Sequence, residues 1–319
     1  MLIAVVWSHL AIIAATSPPD ASIRPSQGSK PTGTNSWPRF SLAAERVWQL
    51  NLPQGQPFDA SALLWTKEGQ LLTLNDRFSG LYRVDFLTNS SSANLVLIPD
   101  CFTPAQLDKL QREKIGRYDC EGIAQDPQGR LYVCEEANRW ILRFDPKLKT
   151  VDRLEIDWSP VKKYFSPVDF NASFEGIAVG GGRLYVANER QAGRLITVDL
   201  RTLKVIDDFA VNPLGSNAAD VHYSDLAWFD DALYVLLRES RCVLKVNPAS
   251  HRVLAEYSFR EMERQPEVIY LLLYPTGNME GLAVDREHIW LVTDNNGLGR
   301  VKYPKDIRPT VFRCKRPDQ

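Results

Sequence analysis

The strongest constraint on this chain is an internal repeat, the usual mark of an architecture built by stacking similar units. Four segments align: CEGIAQDPQGRLYVCEEANRWILRFD from Cys120, FEGIAVGGGRLYVANERQAGRLITVD from Phe174, YSDLAWFDDALYVLLRESRCVLKVN from Tyr223 and MEGLAVDREHIWLVTDNNGLGRVKY from Met279. A more divergent copy, ASALLWTKEGQLLTLNDRFSGLYRVD, begins at Ala60. Ser61, Glu121, Glu175, Ser224 and Glu280 are equivalent, at separations of 60, 54, 49 and 56 residues. Each copy runs from a short apolar strand through a turn to a second strand such as LYVANE, then a third such as RLITVD and usually a fourth. Alternation and β-branched or aromatic enrichment support strands throughout. Four antiparallel strands at this period form a propeller blade, which buries both faces only by stacking on its neighbours. The expected fold is an all-β β-propeller of four-stranded blades, five in number with six as the alternative. One inserted helix is expected over 103–113, with a shorter one near 259–264. The last copy lacks an outer strand, and residues 45–52 (ERVWQLNL) are available to complete it.

The rest of the chain sets the boundaries. Residues 2–15 are nearly all apolar and short for a membrane span, so 1–16 reads as a signal peptide or short anchor. Residues 17–38 are rich in Pro, Ser, Gly and Thr and read as a disordered linker, leaving 39–319 as a single propeller domain. The expected location is therefore secreted or periplasmic, with no membrane span beyond that possible anchor. A net charge of -1 gives no broad attraction to nucleic acid. Cys101 and Cys120 bracket the inserted helix and are the candidate disulfide; Cys134 reads as a core residue, and Cys242 with Cys314 is a further possible pair.

The repeat also gathers chemistry. Glu121 opens the first strand of its blade and Glu136 ends the second, so in an antiparallel pair the two lie side by side. The same reasoning pairs Glu175 with Glu189, Glu280 with Asp294, Ser61 with Asp76 and Ser224 with Arg238, with Asp225 adjoining. All should crowd one mouth of the central channel, where mutual repulsion raises carboxylate pKa values unless a cation compensates. Arg238 supplies part of that charge, with Arg77 and Arg190 as helpers. Oxygen donors without nearby His or Cys favour Ca²⁺ over zinc. The candidate ligands are Glu121, Glu136, Glu175, Glu189, Ser224, Asp225, Glu280, Asp294 and Asp76. The structural alternative is that each Glu-Gly acid bonds backbone amides and pins neighbouring blades. His222 precedes the fourth copy and is assigned a surface role, with approach to the channel as the alternative. No nucleophile elbow, phosphate-binding glycine loop or zinc-protease helix occurs.

The series EGIA…LYVCEE, FEGIAV…LYVANER, YSDLAWFDDALYVLLRES and MEGLAVD…IWLVTDNN resembles the phytase-like domain family named for esterase-like activity. It is also similar to the SdiA-regulated family of five-bladed, calcium-associated propellers. The resemblance covers about residues 58–303. It implies that Glu121, Glu175, Ser224, Asp225, Glu280 and Asp294 form the channel-mouth set. The first copy departs from the pattern, with Ala60-Ser61-Ala62-Leu63 where Ser-Gly-Leu is usual. Two functions follow. One is a ligand- or partner-binding module with a calcium-loaded mouth, engaging an extracytoplasmic ligand. The other is a metal-dependent esterase or phosphoesterase, with Glu121 or Glu280 as general base and Arg238 steadying substrate charge.

Overall fold

The computed structural model describes residues 36–76, 80–110, 118–166, 169, 172–189, 193–216, 221–271 and 277–317. The expected signal segment, most of the linker, Arg77 and Arg190 lie outside them. Two strands come first, β1 (Arg39–Ser41) and β2 (Ala44–Asn51). The first repeat then gives β3 (Ala60–Trp65), β4 (Leu71–Asn75), β5 (Leu81–Phe86) and β6 (Ser92–Leu97). The second gives β7 (Cys120–Gln125), β8 (Leu131–Glu135), β9 (Trp140–Asp145) and β10 (Thr150–Arg153). The third gives β11 (Phe174–Gly180), β12 (Arg183–Asn188), β13 (Arg194–Asp199) and β14 (Lys204–Phe209). The fourth gives β15 (Tyr223–Phe229), β16 (Ala232–Leu237), β17 (Cys242–Asn247) and β18 (Arg252–Ser258). The last has β19 (Met279–Val284), β20 (His288–Thr293) and β21 (Thr310–Lys315).

Each repeat is an antiparallel meander, and the fold is a β-propeller. The last meander is completed by β2, which pairs antiparallel with β21 and, through Gln49 to Asn51, parallel with β6 of the first. That second pairing joins the first and last meanders into one eight-stranded sheet. Among the described residues the first strands form a ring: β3 packs on β7, β7 on β11, β11 on β15, β15 on β19, and β19 returns to β3. β1 adds a parallel edge to β18, and its entry is fixed where Arg39 bonds Glu256 at 3.1 and 2.8 Å. Trp37, inside the segment read as linker, also bonds this edge, its Nε1 reaching Glu256 at 3.4 Å.

The core lies between blades rather than within them. Tyr234, Tyr257 and Phe259 of the fourth meander pack against Leu282, Leu291 and Phe312 of the last. Trp48, Trp290 and Val311 pack against Phe58, Leu63 and Leu71 of the first, sealing the ring. Such layers arise because alternate residues of each strand face opposite neighbours.

Two helical segments, α1 (Pro104–Asp108) and α2 (Arg260–Glu263), match the expected places. α1 starts at Thr103, whose side chain and that of Gln106 cap each other's backbone. It ends earlier than expected among the described residues. No helix among them is long and apolar enough to cross a membrane. The cysteine pairing is a correction: all five cysteines are free and buried. Cys101 and Cys120 serve as small apolar groups in the layer between the first two blades, and Cys242 and Cys314 belong to different layers.

Candidate functional site

The Glu-Gly signature has a backbone cause. In the first strand of every meander the pairing register slips at the same place: between Ala60 and Leu63, Cys120 and Gly122, Phe174 and Gly176, Tyr223 and Asp225, and Met279 and Gly281. Ser61, Glu121, Glu175, Ser224 and Glu280 thus occupy β-bulges, which re-aim a side chain at the end of a strand. The following residue meets the next blade. A Cβ on Gly176 would lie 2.5 Å from Asp225 Cα, and one on Gly281 2.7 Å from the carbonyl carbon of Ala62. The acid is thereby turned to the mouth while the glycine lets the inner strands close.

In four of the repeats the residue after the second strand returns to the residue before the first. Glu136 N donates to Asp119 O at 2.8 Å, Glu189 N to Ser173 O at 2.8 Å, Asp294 N to Asn278 O at 2.9 Å and Asp76 N to Asp59 O at 3.3 Å. The expected side-by-side placement of these acids is therefore present. Two carboxylate triads result, Asp76 with Asp119 and Glu121, and Glu136 with Glu175 and Glu189, each with one oxygen per residue within 4.8 Å of the others. Both straddle a blade junction, taking the end of one blade's second strand and the start of the next blade's first.

Electrostatics separates these acids. Glu121 is pushed well above the usual carboxylate range by burial and then by Asp119, Glu136, Asp76 and Glu280. Glu175 is pushed up likewise by burial, Glu189, Glu121 and Glu136. Among the described residues neither side chain takes a hydrogen bond that would offset this. Asp294 is raised by burial and by Asp59 and Glu280, and belongs to neither triad.

At the junction of the fourth and last blades an arginine replaces the acid. Arg238 Nη1 bonds Glu280, its Nη2 reaches Glu189 at 3.1 Å and its Nε reaches Glu239 at 3.2 Å. The guanidinium expected to steady a substrate is fully engaged by three carboxylates of its own chain. Glu280, the other candidate base, is raised by burial but held down by that arginine. Ser224 is buried, with no hydrogen bond to its Oγ, and lies outside both triads.

Asp225 is put to a different use from the expected metal ligand. Its Oδ2 accepts from Leu282 N at 2.7 Å and Leu63 N at 3.3 Å, and its Oδ1 from Leu226 N at 2.8 Å. Burial still drives its pKa well up, against these amides. It pins three blades across the channel, as Ser61 does more locally by bonding Cys120 O at 2.9 Å.

Several mouth residues were not singled out from the sequence. Asp59 and Asp119 each sit one residue before the aligned copy begins, and a comparison extended by one position shows both. Glu239 follows Arg238, and its carboxylate lies 2.8 Å from His222 Nδ1. His222 thus joins the mouth rather than the outer surface. Burial raises the Glu239 pKa, but the adjoining His222 ring and the Arg238 charge bring it below the ordinary value.

The opposite end of the channel differs. It holds a cavity of about 350 Å³ walled by Leu64, Trp65, Ile123, Val179, Trp228 and Val284. Trp228 stacks on Tyr185 with ring centroids 5.4 Å apart, in space that a side chain at Gly180 would occupy. The Gly180-Gly181-Gly182 run is therefore a hairpin that seats an indole.

Comparison with known proteins agrees with this architecture. The Myxococcus xanthus glutaminyl cyclase is similar at a TM-score of 0.57 and 14% identity, over 88% of this chain and 97% of that one. The PQQ-bound aldose sugar dehydrogenase of Streptomyces coelicolor gives a TM-score of 0.47 and 14% identity, over 85% and 98%. At 14% identity the likeness to the cyclase speaks to fold alone, and nothing is drawn from the dehydrogenase. A comparison with curated proteins finds no match. A family model described as "Phytase-like: Esterase-like activity of phytase" matches residues 56–297, most of the propeller including every residue of both triads, and the chain belongs to that family.

Proposed function

We propose that the mouth binds calcium at its carboxylate triads and that the loaded mouth hydrolyses an ester. The observation that carries this reading is the state of Glu121 and Glu175. Structural acids in the same molecule are satisfied: Asp225 by three amides, and Glu135 by the Asn138 amide and side chain at 2.9 Å each. Glu121 and Glu175 instead face other carboxylates, an arrangement that a hard cation relieves. The donor set fits calcium, being all carboxylate oxygen without cysteine or histidine.

A bound divalent ion supplies Lewis acidity and a water of lowered pKa. The chain's own groups do the rest. Asp76, Asp119 and Glu121 hold one position and Glu136, Glu175 and Glu189 the other, while Asp225 and the glycine contacts keep the inner strands fixed beneath them. Arg238 ties Glu189 to Glu280 and Glu239, so the mouth keeps its shape while that guanidinium is not offered to a substrate. That favours a carboxylic ester or a singly charged phosphoester over a polyphosphate. The family's description agrees with ester chemistry, and the apolar segment 2–15 with an exported, calcium-rich setting.

A second reading, a non-catalytic binding propeller, is favoured by the engagement of Arg238 and Glu280 with each other. The test is turnover of p-nitrophenyl acetate and p-nitrophenyl phosphate in calcium and in EDTA, with Glu175→Gln as control. Calcium-dependent turnover lost in the variant supports the hydrolase. Silence from a protein that calcium stabilises supports the binding module.

A further inference from the structure

On one side the mouth opens into an apolar recess. β4 and β6 both end where β3 begins, and residues 53–59 lead into β3 at the same place. Between them lies a cavity of about 540 Å³, walled chiefly by Pro57, Phe58, Asn75, Tyr82, Leu95 and Leu97, and no residue lining it carries a charge. Its inner end adjoins the first triad. Asn75 immediately precedes Asp76, and its Oδ1 accepts from Asp59 N at 3.4 Å, which ties the wall to the mouth acids. Its outer end is open, with Leu97 55% exposed. Neighbouring strands lie about 4.8 Å apart, so the floor from β4 across β5 to β6 runs about 10 Å outward from Asp76. Tyr82 faces Leu97 across the pairing of β5 with β6, and Phe58 meets the Tyr82 ring edge-on at a centroid distance of 5.0 Å. Gly80 leaves room for both, since a Cβ there would come within 3.1 Å of Tyr82 and 3.4 Å of Leu97.

Apolar walls beside a reacting centre favour an apolar part of the substrate, because contact removes both surfaces from water. We propose that this recess receives the uncharged acyl chain of the ester whose carbonyl lies at the Asp76, Asp119 and Glu121 position, with Tyr82 and Leu97 setting the chain length accepted. The proposal rests on the hydrolase reading and narrows its substrate to carboxylic esters of acids longer than acetic. A charged acyl group would lose its water in the recess and meet no opposite charge there.

The experiment measures kcat/KM in calcium for p-nitrophenyl acetate, butyrate and hexanoate, using wild type, Leu97→Asp, Leu97→Ala and Ile206→Asp, with melting temperatures recorded for each. Ile206 is the control, a half-exposed apolar residue on β14 of the third blade. Burying one methylene is worth about fourfold, so wild type should gain about tenfold from acetate to butyrate and rise again with hexanoate. Leu97→Asp should cut the hexanoate-to-acetate ratio by about tenfold and Leu97→Ala by less, while Ile206→Asp keeps the wild-type ratio. Equal kcat/KM on all three esters in wild type overturns the proposal and leaves the hydrolase standing. So does a chain-length preference that both folded Leu97 variants retain in full. A wild type silent on all three overturns the hydrolase and this assignment with it.

Discussion

The carboxylate of Asp225 reaches from the fourth blade to the amide nitrogen of Leu282 in the last, at 2.7 Å, while the same oxygen accepts from Leu63 of the first. One side chain thus ties its own inner strand to two others, 57 and 162 residues away in sequence. Asp225→Ala leaves buried amides without an acceptor and should destabilise the fold by on the order of 3 kcal/mol, read from urea unfolding. A loss within error of zero would show that the channel does not need this pin.

Arg238→Met strands Glu189, Glu239 and Glu280 beside one another. Breaking a buried ion pair from one side costs about 3–5 kcal/mol, and the melting temperature should fall accordingly. Arg238→Lys, with one ammonium for three carboxylates, should recover only part of it. Equal stability of Met and Lys variants would mean that packing rather than charge is what matters there.

The triads predict how stability follows pH. In the cation-free fold Glu121 and Glu175 have pKa values raised well above 4.5. A raised folded pKa stabilises fully below the unfolded value and loses that contribution as pH climbs through the folded one. In EDTA the melting temperature should therefore decline as pH rises above about 4.5 and through the raised folded values. Calcium, which favours the ionised carboxylates, should flatten the decline in wild type and do so less in Glu121→Gln with Glu175→Gln. A cation-free melting temperature that rises over this window would contradict the assignment.

Trp48 carries the ring closure. It is 7% exposed and packs on Phe86 at 4.3 Å and on Trp290 at 6.2 Å, touching the first blade and the last together. Trp48→Ala should cost about 3–5 kcal/mol and speed amide exchange in β3 and β21 alike. Faster exchange in only one of the two strands would place the closure elsewhere.

The cysteines offer a simple check. Burial pushes the Cys101 thiol up to about 12, and all five are buried, so a thiol reagent should find almost none in the folded protein. After unfolding without reductant it should find all five; a count two lower would mean that a disulfide forms after all.

Much of this fold is legible in the sequence because the repeat makes one constraint visible several times. Glu-Gly at positions 121, 175 and 280 marks a bulge followed by a close approach of backbones, and only the recurrence distinguishes that from chance. The mouth acids are legible for the same reason, since strand order alone brings the end of β8 to the start of β7. What is not legible depends on distances between blades. Nothing in Ser224-Asp225 says that the aspartate turns inward to amides of two other repeats, nor that Arg238 spans Glu189, Glu239 and Glu280. His222 reads as surface because a lone histidine before a strand carries no signal until its carboxylate partner from the next turn is in place. The Cys101–Cys120 pairing failed because spacing records a loop's length but not whether its ends share a bond or only a core layer.

The placement of β2 has a wider consequence. Stacked repeats usually have two outermost units from which unravelling can start, and their stability is close to a sum over neighbours. Here the strand that completes the last unit also hydrogen-bonds to the first, so no unit is outermost. Local opening cannot shed one blade and leave the others intact, because freeing β2 exposes two blade edges at once. Loss of structure should therefore be a single concerted event, and the rigidity that results is what keeps a crowd of like charges assembled at one rim.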